Sequence, residues 1–326
     1  MKLVTFRSQL GTQIGLLNTE QVISLSLINE WFCSVYTNNC SFKSLFLNME
    51  NLIRKSDVAL PYIEKLVEFY INGKIAGDKR AKNATFSLEN IEILAPLNHS
   101  EKIICVGLNY LDHCLETGME PPKAPIIFSK FSNAIIGNRQ AIEIPINSNE
   151  VDYEAELAVI IGKEAKHVSE EAADNYIFGY TILNDISARD QQFTDGQWVR
   201  GKTANTFAPI GPCIVTKDEI EDPHNLEISL TLNGEVMQHS NTKQLIFSIP
   251  YIISYLSQSI TLMPGDIIAT GTPPGVGMGR NPKVWLEKGD QVSITIQGIG
   301  TLSNSVIELK TTEVSLKKKM KKTVHG

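Results

Sequence analysis

Leu3 and Thr5 alternate with Val4 and Phe6 at the start of the chain, a period of two that predicts a strand. Residues 14–17 and 22–25 predict two more, with Gly11, Asn18 and Glu20 between them as turn material. From 41 to 73 the period becomes helical. Leu45, Leu47, Met49, Leu52 and Ile53 form one face; Ile63, Leu66, Val67 and Tyr70 form the next, with Pro61 expected near its first turn. Residues 73–85 are polar and read as a linker. Beyond Ile91 strands dominate, at 103–106, 126–128, 156–161, 180–183, 228–232, 267–270 and 292–296. Helices are expected at 170–175 and 249–257, and turns at Asn233–Gly234 and around Pro264, Gly265 and Asp266. No internal repeat is visible. The pattern predicts an α+β fold: a smaller N-terminal α/β domain at 1–85, a larger β-rich domain at 86–312, and a basic tail at 313–326.

Composition narrows the class. Of 326 residues, 42% are hydrophobic and 20% charged, which supplies a sizeable core and excludes general disorder. No window reaches the ~18 to 20 unbroken apolar residues of a membrane span. The net charge is −6, although residues 317–326 alone hold five lysines. An acidic body opposes a nucleic-acid binder, and the lysine run reads as a solvated tail. Five cysteines at scattered spacing, with no CxxC, oppose a disulfide framework or a zinc knuckle. A reducing compartment is the default. The first residues read as a strand rather than a leader, so cytoplasmic is the literal reading.

Chemistry concentrates in a few stretches. In the segment from Val151 to Gly162, Glu154 and Glu156 share one strand face and lead into an apolar run that must be buried. Two carboxylates entering a core repel each other and resist desolvation, which a divalent cation would relieve. Taken alone, the pair would read as an exposed acidic face. The apolar strand ending at Asp185 offers a third carboxylate, and three oxygen donors without His or Cys suit Mg²⁺, with Mn²⁺ or Ca²⁺ as alternatives. Asp190 is another candidate ligand, or a partner for Arg189. His113 and Glu116 stand at i, i+3, where a short helix would join them into a general base; a plain surface contact is the competing reading. Gly107, Gly118, Pro121 and Pro122 frame that pair as a loop able to move. Lys202, beside Gly201, is a candidate for stabilising negative charge. The glycine-rich stretch from Gly271 to Gly279 fits no phosphate loop and reads as a rigid turn carrying Thr272.

Together these segments resemble the fumarylacetoacetate hydrolase superfamily. The resemblance is carried in order by Lys102 to Tyr110 with Asp112 and His113, Val151 to Gly162, Asn184 to Asp190, Arg200 to Thr203, Asp222 to Leu226, and Pro264 to Pro273. It covers about residues 90 to 307. It implies a mixed β-roll catalytic domain and a homodimer. It implies Glu154, Glu156 and Asp185 as metal ligands, His113 and Glu116 as a catalytic lid pair, Lys202 as catalytic lysine, and Arg189, Gln192 and Thr272 as substrate contacts. The implied activity is metal-dependent enolisation of a small 2-oxo dicarboxylic acid, with oxaloacetate tautomerisation expected. Hydrolytic C–C cleavage of acylpyruvates or fumarylacetoacetate-like diketo acids comes second, and oxaloacetate decarboxylation third. A catalytically silent, metal-stabilised dimer is the non-enzymatic alternative, which the retained His113, Glu116 and Lys202 oppose. The resemblance also makes a mitochondrial location an expectation. One departure is Ala204-Asn205-Thr206-Phe207, where the superfamily commonly has an aromatic-Asp-Thr-Phe run.

Overall fold

Three short alternating segments open the chain as an antiparallel meander, β1 (Lys2–Ser8), β2 (Gly11–Leu17) and β3 (Gln21–Ser24). The computed structural model describes residues 1–36, 42–118, 120–194 and 196–308; the lysine-rich tail expected at 313–326 lies outside them. Leu25 begins helix α1 (Leu25–Tyr36) rather than ending a strand, with Leu25, Ile28 and Trp31 buried on one face. Next come α2 (Met49–Arg54), whose first turn is capped by the Asn48 side chain, and α3 (Ser56–Ile75). Pro61 lies inside α3, because the helix starts five residues before it. The stretch expected as linker is largely helical: α3 runs to Ile75, and α4 (Lys79–Asn83) is capped by the Asp78 carboxylate. Cys33 is disulfide-bonded, which its spacing did not suggest; Cys105, Cys114 and Cys213 are free and buried.

The chain then supplies β4 (Thr85–Ser87), β5 (Glu92–Ile93), β6 (Ile103–Gly107), α5 (Leu111–Thr117), β7 (Ile126–Lys130), β8 (Ile135–Ile136) and β9 (Ile142–Ile144). β10 (Val151–Asp152), β11 (Ala155–Ile161), β12 (Ile177–Asn184), β13 (Ser187–Ala188), α6 (Arg189–Gln192) and α7 (Val199–Lys202) carry most of the candidate chemistry. β14 (Ala208–Thr216), β15 (Glu227–Leu232), β16 (Glu235–Asn241), α8 (Ile249–Ser257), β17 (Ile267–Ala269), β18 (Gln291–Ile296) and β19 (Gly300–Glu308) complete it. The helix expected at 170–175 is a 3₁₀ helix, Glu170–Tyr176.

Among the described residues the large sheet runs β4-β3-β2-β1-β14-β12-β11-β17-β6-β7, with β5 joined to β1 and β8 to β14. β1 joins the N-terminal strands to the later ones by pairing with β14, Lys2 opposite Val215 and Leu3 opposite Ile214. A second sheet runs β16-β15-β18-β19-β9, and β10 pairs with β13. Alternation along β11 explains its unbroken apolar run. Leu157, Val159 and Ile161 enter a core shared with the second sheet, whereas Ala158 and Ile160 enter the core under the N-terminal helices. A strand covered on both faces needs apolar side chains at every position. No helix among the described residues is long and apolar enough to cross a membrane.

Candidate metal centre and active site

β11 and β12 run antiparallel, with Ala155 opposite Asn184 and Glu156 opposite Leu183. One step further along this ladder sets Glu154 beside Asp185, whose amide donates to the Glu154 carbonyl at 2.9 Å. Pleating puts Glu154 and Glu156 on the same face. The three carboxylates therefore meet, each with an oxygen within 4.8 Å of the others, and all three residues are buried. Asp152, two residues before Glu154, also turns inward. Its carboxylate accepts amides from Tyr153, Gly277 and Met278 at 2.9, 2.6 and 3.1 Å.

Four buried acids thus face three buried cations. Lys202 Nζ donates to Glu154 Oε2 at 2.6 Å and to Asp185 Oδ2 at 2.9 Å. Lys130 Nζ lies 2.6 Å from Asp185 Oδ1. Arg189 donates from Nε to Asp152 at 2.9 Å, from Nη2 to Glu154 Oε1 at 2.6 Å and from Nη1 to Gln192 Oε1 at 2.9 Å. Glu156 makes no ion pair among the described residues; its Oε2 accepts the Gly271 amide at 2.9 Å.

The acidities follow. Burial pushes Glu156 well above the usual carboxylate range, and the charges of Asp185 and Glu154 push it further. Burial also works to raise Glu154, but Arg189 and Lys202 outweigh it and hold that carboxyl below its ordinary value. Burial would lower Lys202, yet Asp185 and Glu154 raise it on balance. Lys130 is lowered, because burial exceeds the pull of Asp185. A divalent cation fits this donor set: three convergent oxygen ligands, one of them lacking a counter-charge.

Lys202 reaches the centre from α7, which lies directly on α6. A Cβ on Gly201 would come within 2.5 Å of Gln192 N and 2.6 Å of Ala188 O, so a glycine is required for that approach. His113 and Glu116 come from α5 on the loop after β6. His113 Nδ1 lies 3.0 Å from Glu116 Oε2, and Glu116 Oε1 accepts the Gly275 amide at 2.9 Å. Asn109 anchors that loop, donating to the carbonyls of Phe247 at 3.2 Å and Thr270 at 2.8 Å and accepting the Phe247 amide at 2.8 Å.

A cavity of about 80 Å³ brings most of these groups together: His113, Glu154, Glu156, Arg189, Gln192, Lys202 and Thr272 all line it. Leu108, Phe128, Trp198 and Met278 supply apolar wall. Glu116 stands behind His113, and Asp185 behind the lining, against Lys130 and Lys202. The Thr272 hydroxyl accepts from Gln238 Nε2 at 2.9 Å, while Gln238 Oε1 accepts the Ala155 amide at 2.9 Å, so the turn and β11 are tied together. Asp190 does not join the centre; it accepts from Ser148 Oγ and the Asn149 amide at 2.8 and 3.0 Å.

Sequence reasoning missed Lys130, Asp152 and Gln238. Lys130 follows Ile126 and Phe128 on one face of β7, which was its only local signal. Its ammonium donates to the carbonyls of Ile186 at 2.9 Å and Phe207 at 2.7 Å, and to that of Lys202. Asp152 shares the face of Glu154 and Glu156 by the same alternation. At the departure after Lys202, Asn205 Oδ1 accepts from Asn133 Nδ2 at 3.0 Å, and the Phe207 ring is buried.

The sequence pattern of the fumarylacetoacetate hydrolase C-terminal family matches residues 102–307. "Oxaloacetate tautomerase Fahd2a, mitochondrial" of Rattus norvegicus is 49% identical over 257 residues, covering 77% of this chain and 82% of that protein. The fumarylacetoacetate hydrolase domain-containing protein 2 homolog of Dictyostelium discoideum is 51% identical over 235 residues, covering 69% and 77%. A solved maleylpyruvate hydrolase of Sphingobium sp. SYK-6, in complex with manganese(II) and pyruvate, superposes with a TM-score of 0.72 at 28% identity, over 94% of this chain and 99% of that one.

Proposed function

The chain belongs to the fumarylacetoacetate hydrolase family, and from that premise we propose that it is an oxaloacetate keto–enol tautomerase working with a divalent metal, Mg²⁺ first. The observation that carries this reading is the buried carboxylate triad sharing one small cavity with a carboxylate-supported histidine. Glu154, Glu156 and Asp185 would hold the ion. When bound, it would polarise the 2-oxo carbonyl of a small oxo-acid as a Lewis acid.

The remaining work falls to side chains of this chain. With Glu116 accepting from Nδ1–H, His113 is fixed in the tautomer whose Nε2 is the base. Nε2 takes a proton from C3 of the keto form and the imidazolium so formed gives it to the 2-oxo oxygen; in the reverse direction Nε2 takes the enol O–H proton and delivers it to C3. The Glu116 charge stabilises the imidazolium in between, and the Gly275 amide keeps Glu116 in place. Lys202 Nζ offsets the negative charge that grows on the 2-oxo oxygen. Gln192, Thr272 and Arg189 position the carboxylates of the substrate. The apolar wall limits water, and tautomerisation, unlike C–C hydrolysis, consumes none. The relatives' names support a mitochondrial setting, and the family resemblance supports a homodimer.

The test is enol-oxaloacetate ketonisation with Mg²⁺, with EDTA, and in a Glu154→Ala/Glu156→Ala variant, with pyruvate followed in parallel. Metal-dependent ketonisation about 100-fold or more above the solvent rate, lost in the variant and with little pyruvate, is the expected result. A rate equal to solvent overturns the reading and turns the search to acylpyruvate cleavage, the chemistry nearest the maleylpyruvate hydrolase likeness.

A further inference from the structure

The cavity at the triad and a larger groove of about 680 Å³ along β7 share two lining residues, Phe128 and Trp198. Their rings meet edge to face, with centroids 5.5 Å apart and planes at 62°, an arrangement favoured by the aromatic quadrupoles. Phe128 is held from the catalytic side, because Lys202 Nζ lies 4.9 Å from its ring centroid. Trp198 is held from below by an absence. A Cβ on Gly107 would come 2.6 Å from Trp198 Cζ3, so the indole can lie on the end of β6 only over a glycine. Beyond the two rings the groove has apolar wall from Ile104 and Ile126.

We propose that Phe128 and Trp198 form a partition that sets substrate length, keeping oxaloacetate-sized acids at the triad and shutting longer acyl chains out of the groove. The inference rests on the oxo-acid reading above and adds the specificity determinant. A 2-oxo acid anchored at the carboxylates and extended toward β7 meets the two rings. Each further methylene then forfeits the roughly fourfold gain in affinity that burial in an apolar groove would bring.

Oxamate and N-hexyloxamate offer a carboxylate and an adjacent carbonyl but cannot enolise, so their binding, measured calorimetrically with Mg²⁺, is read without turnover. Wild type is expected to bind N-hexyloxamate no more tightly than oxamate. Trp198→Ala is expected to shift the affinity ratio toward N-hexyloxamate by about tenfold or more. Gly107→Ala keeps both rings, pushes Trp198 away, and shifts the ratio in the same direction; it also serves if Trp198→Ala does not fold. A ratio unchanged in the folded variants, or a wild type that already prefers the hexyl compound, overturns the partition. Failure of oxamate itself to bind wild type removes the oxo-acid reading and the partition with it, so the two failures are told apart.

Discussion

Glu156 is the carboxyl of the triad with no cationic partner among the described residues, and without a metal it holds its proton above the usual carboxylate range. At any pH below that raised value, loading the site expels a proton. Metal affinity is expected to weaken as pH falls, and titrations in two buffers of different ionisation enthalpy should show a release approaching about one proton per ion. Glu156→Gln should abolish that release and weaken metal binding, while leaving metal-free stability equal or higher, since a neutral amide replaces a group that resists ionisation. Lys130 poses the opposite problem. It is 2% exposed, and an apolar replacement leaves Asp185 with one buried cation, Lys202, in place of two. Lys130→Met is expected to cost about 3 kcal/mol in metal-free urea unfolding, part of it recovered at saturating Mg²⁺. An equal loss with and without Mg²⁺ would mean that its three carbonyl contacts, not its charge on Asp185, are what matters.

The contact between α6 and α7 leaves no room for a side chain at position 201. Gly201→Ala would force the backbones apart near Gln192 N and Ala188 O, carrying Lys202 away from Glu154 and Asp185. A displacement near 1 Å is expected to lower kcat by about 100-fold, with metal affinity less affected because the triad sits on β11 and β12; steady-state kinetics beside metal titration would separate the two. The strands of the triad were legible in sequence for a plain reason. Glu154 and Glu156 alternate into an apolar run, and Asp185 ends the next long apolar strand, so local pattern and pairing agree. Lys130 was not legible, because a lysine on a strand normally reaches solvent and its burial depends on carbonyls from residues 186, 202 and 207. α1 was hidden by the strand-like run before it, and α4 by polar residues that Asp78 organises into a turn. Glu116 behind His113 was visible as an i, i+3 spacing. Its anchor on the Gly275 amide was not, because that contact joins positions 159 residues apart.

At the scale of the whole molecule, the two sheets and the helical layer hold the site through a few distant ties, and one of them titrates. His224 Nε2 accepts the Ile249 amide at 3.0 Å, capping α8, and Phe247, two residues before that helix, grips Asn109 in the loop that leads to His113. Burial lowers the affinity of His224 for a proton, against the charges of Asp222 and Asp174. The unfolded chain therefore takes up this proton first. The contribution of His224 to stability is complete above its unfolded value of about 6.5 and falls away as pH drops toward its lower folded value, by no more than about 1.4 kcal/mol per pH unit. His224→Gln should remove that slope in denaturation curves measured from pH 7 to pH 5, at a cost of about 1 kcal/mol for the weakened cap. The tie between β1 and β14 has a consequence of another kind. Leu3 pairs with Ile214, so during synthesis β1 emerges from the ribosome roughly 200 residues before its neighbour. At about 5–20 residues per second that is a wait of roughly 10 to 40 s. Through that interval β2 can cover one edge of β1, and β5, once made, the Phe6–Arg7 end of the other, while the Lys2–Leu3 end stays open to any strand of a neighbouring nascent chain.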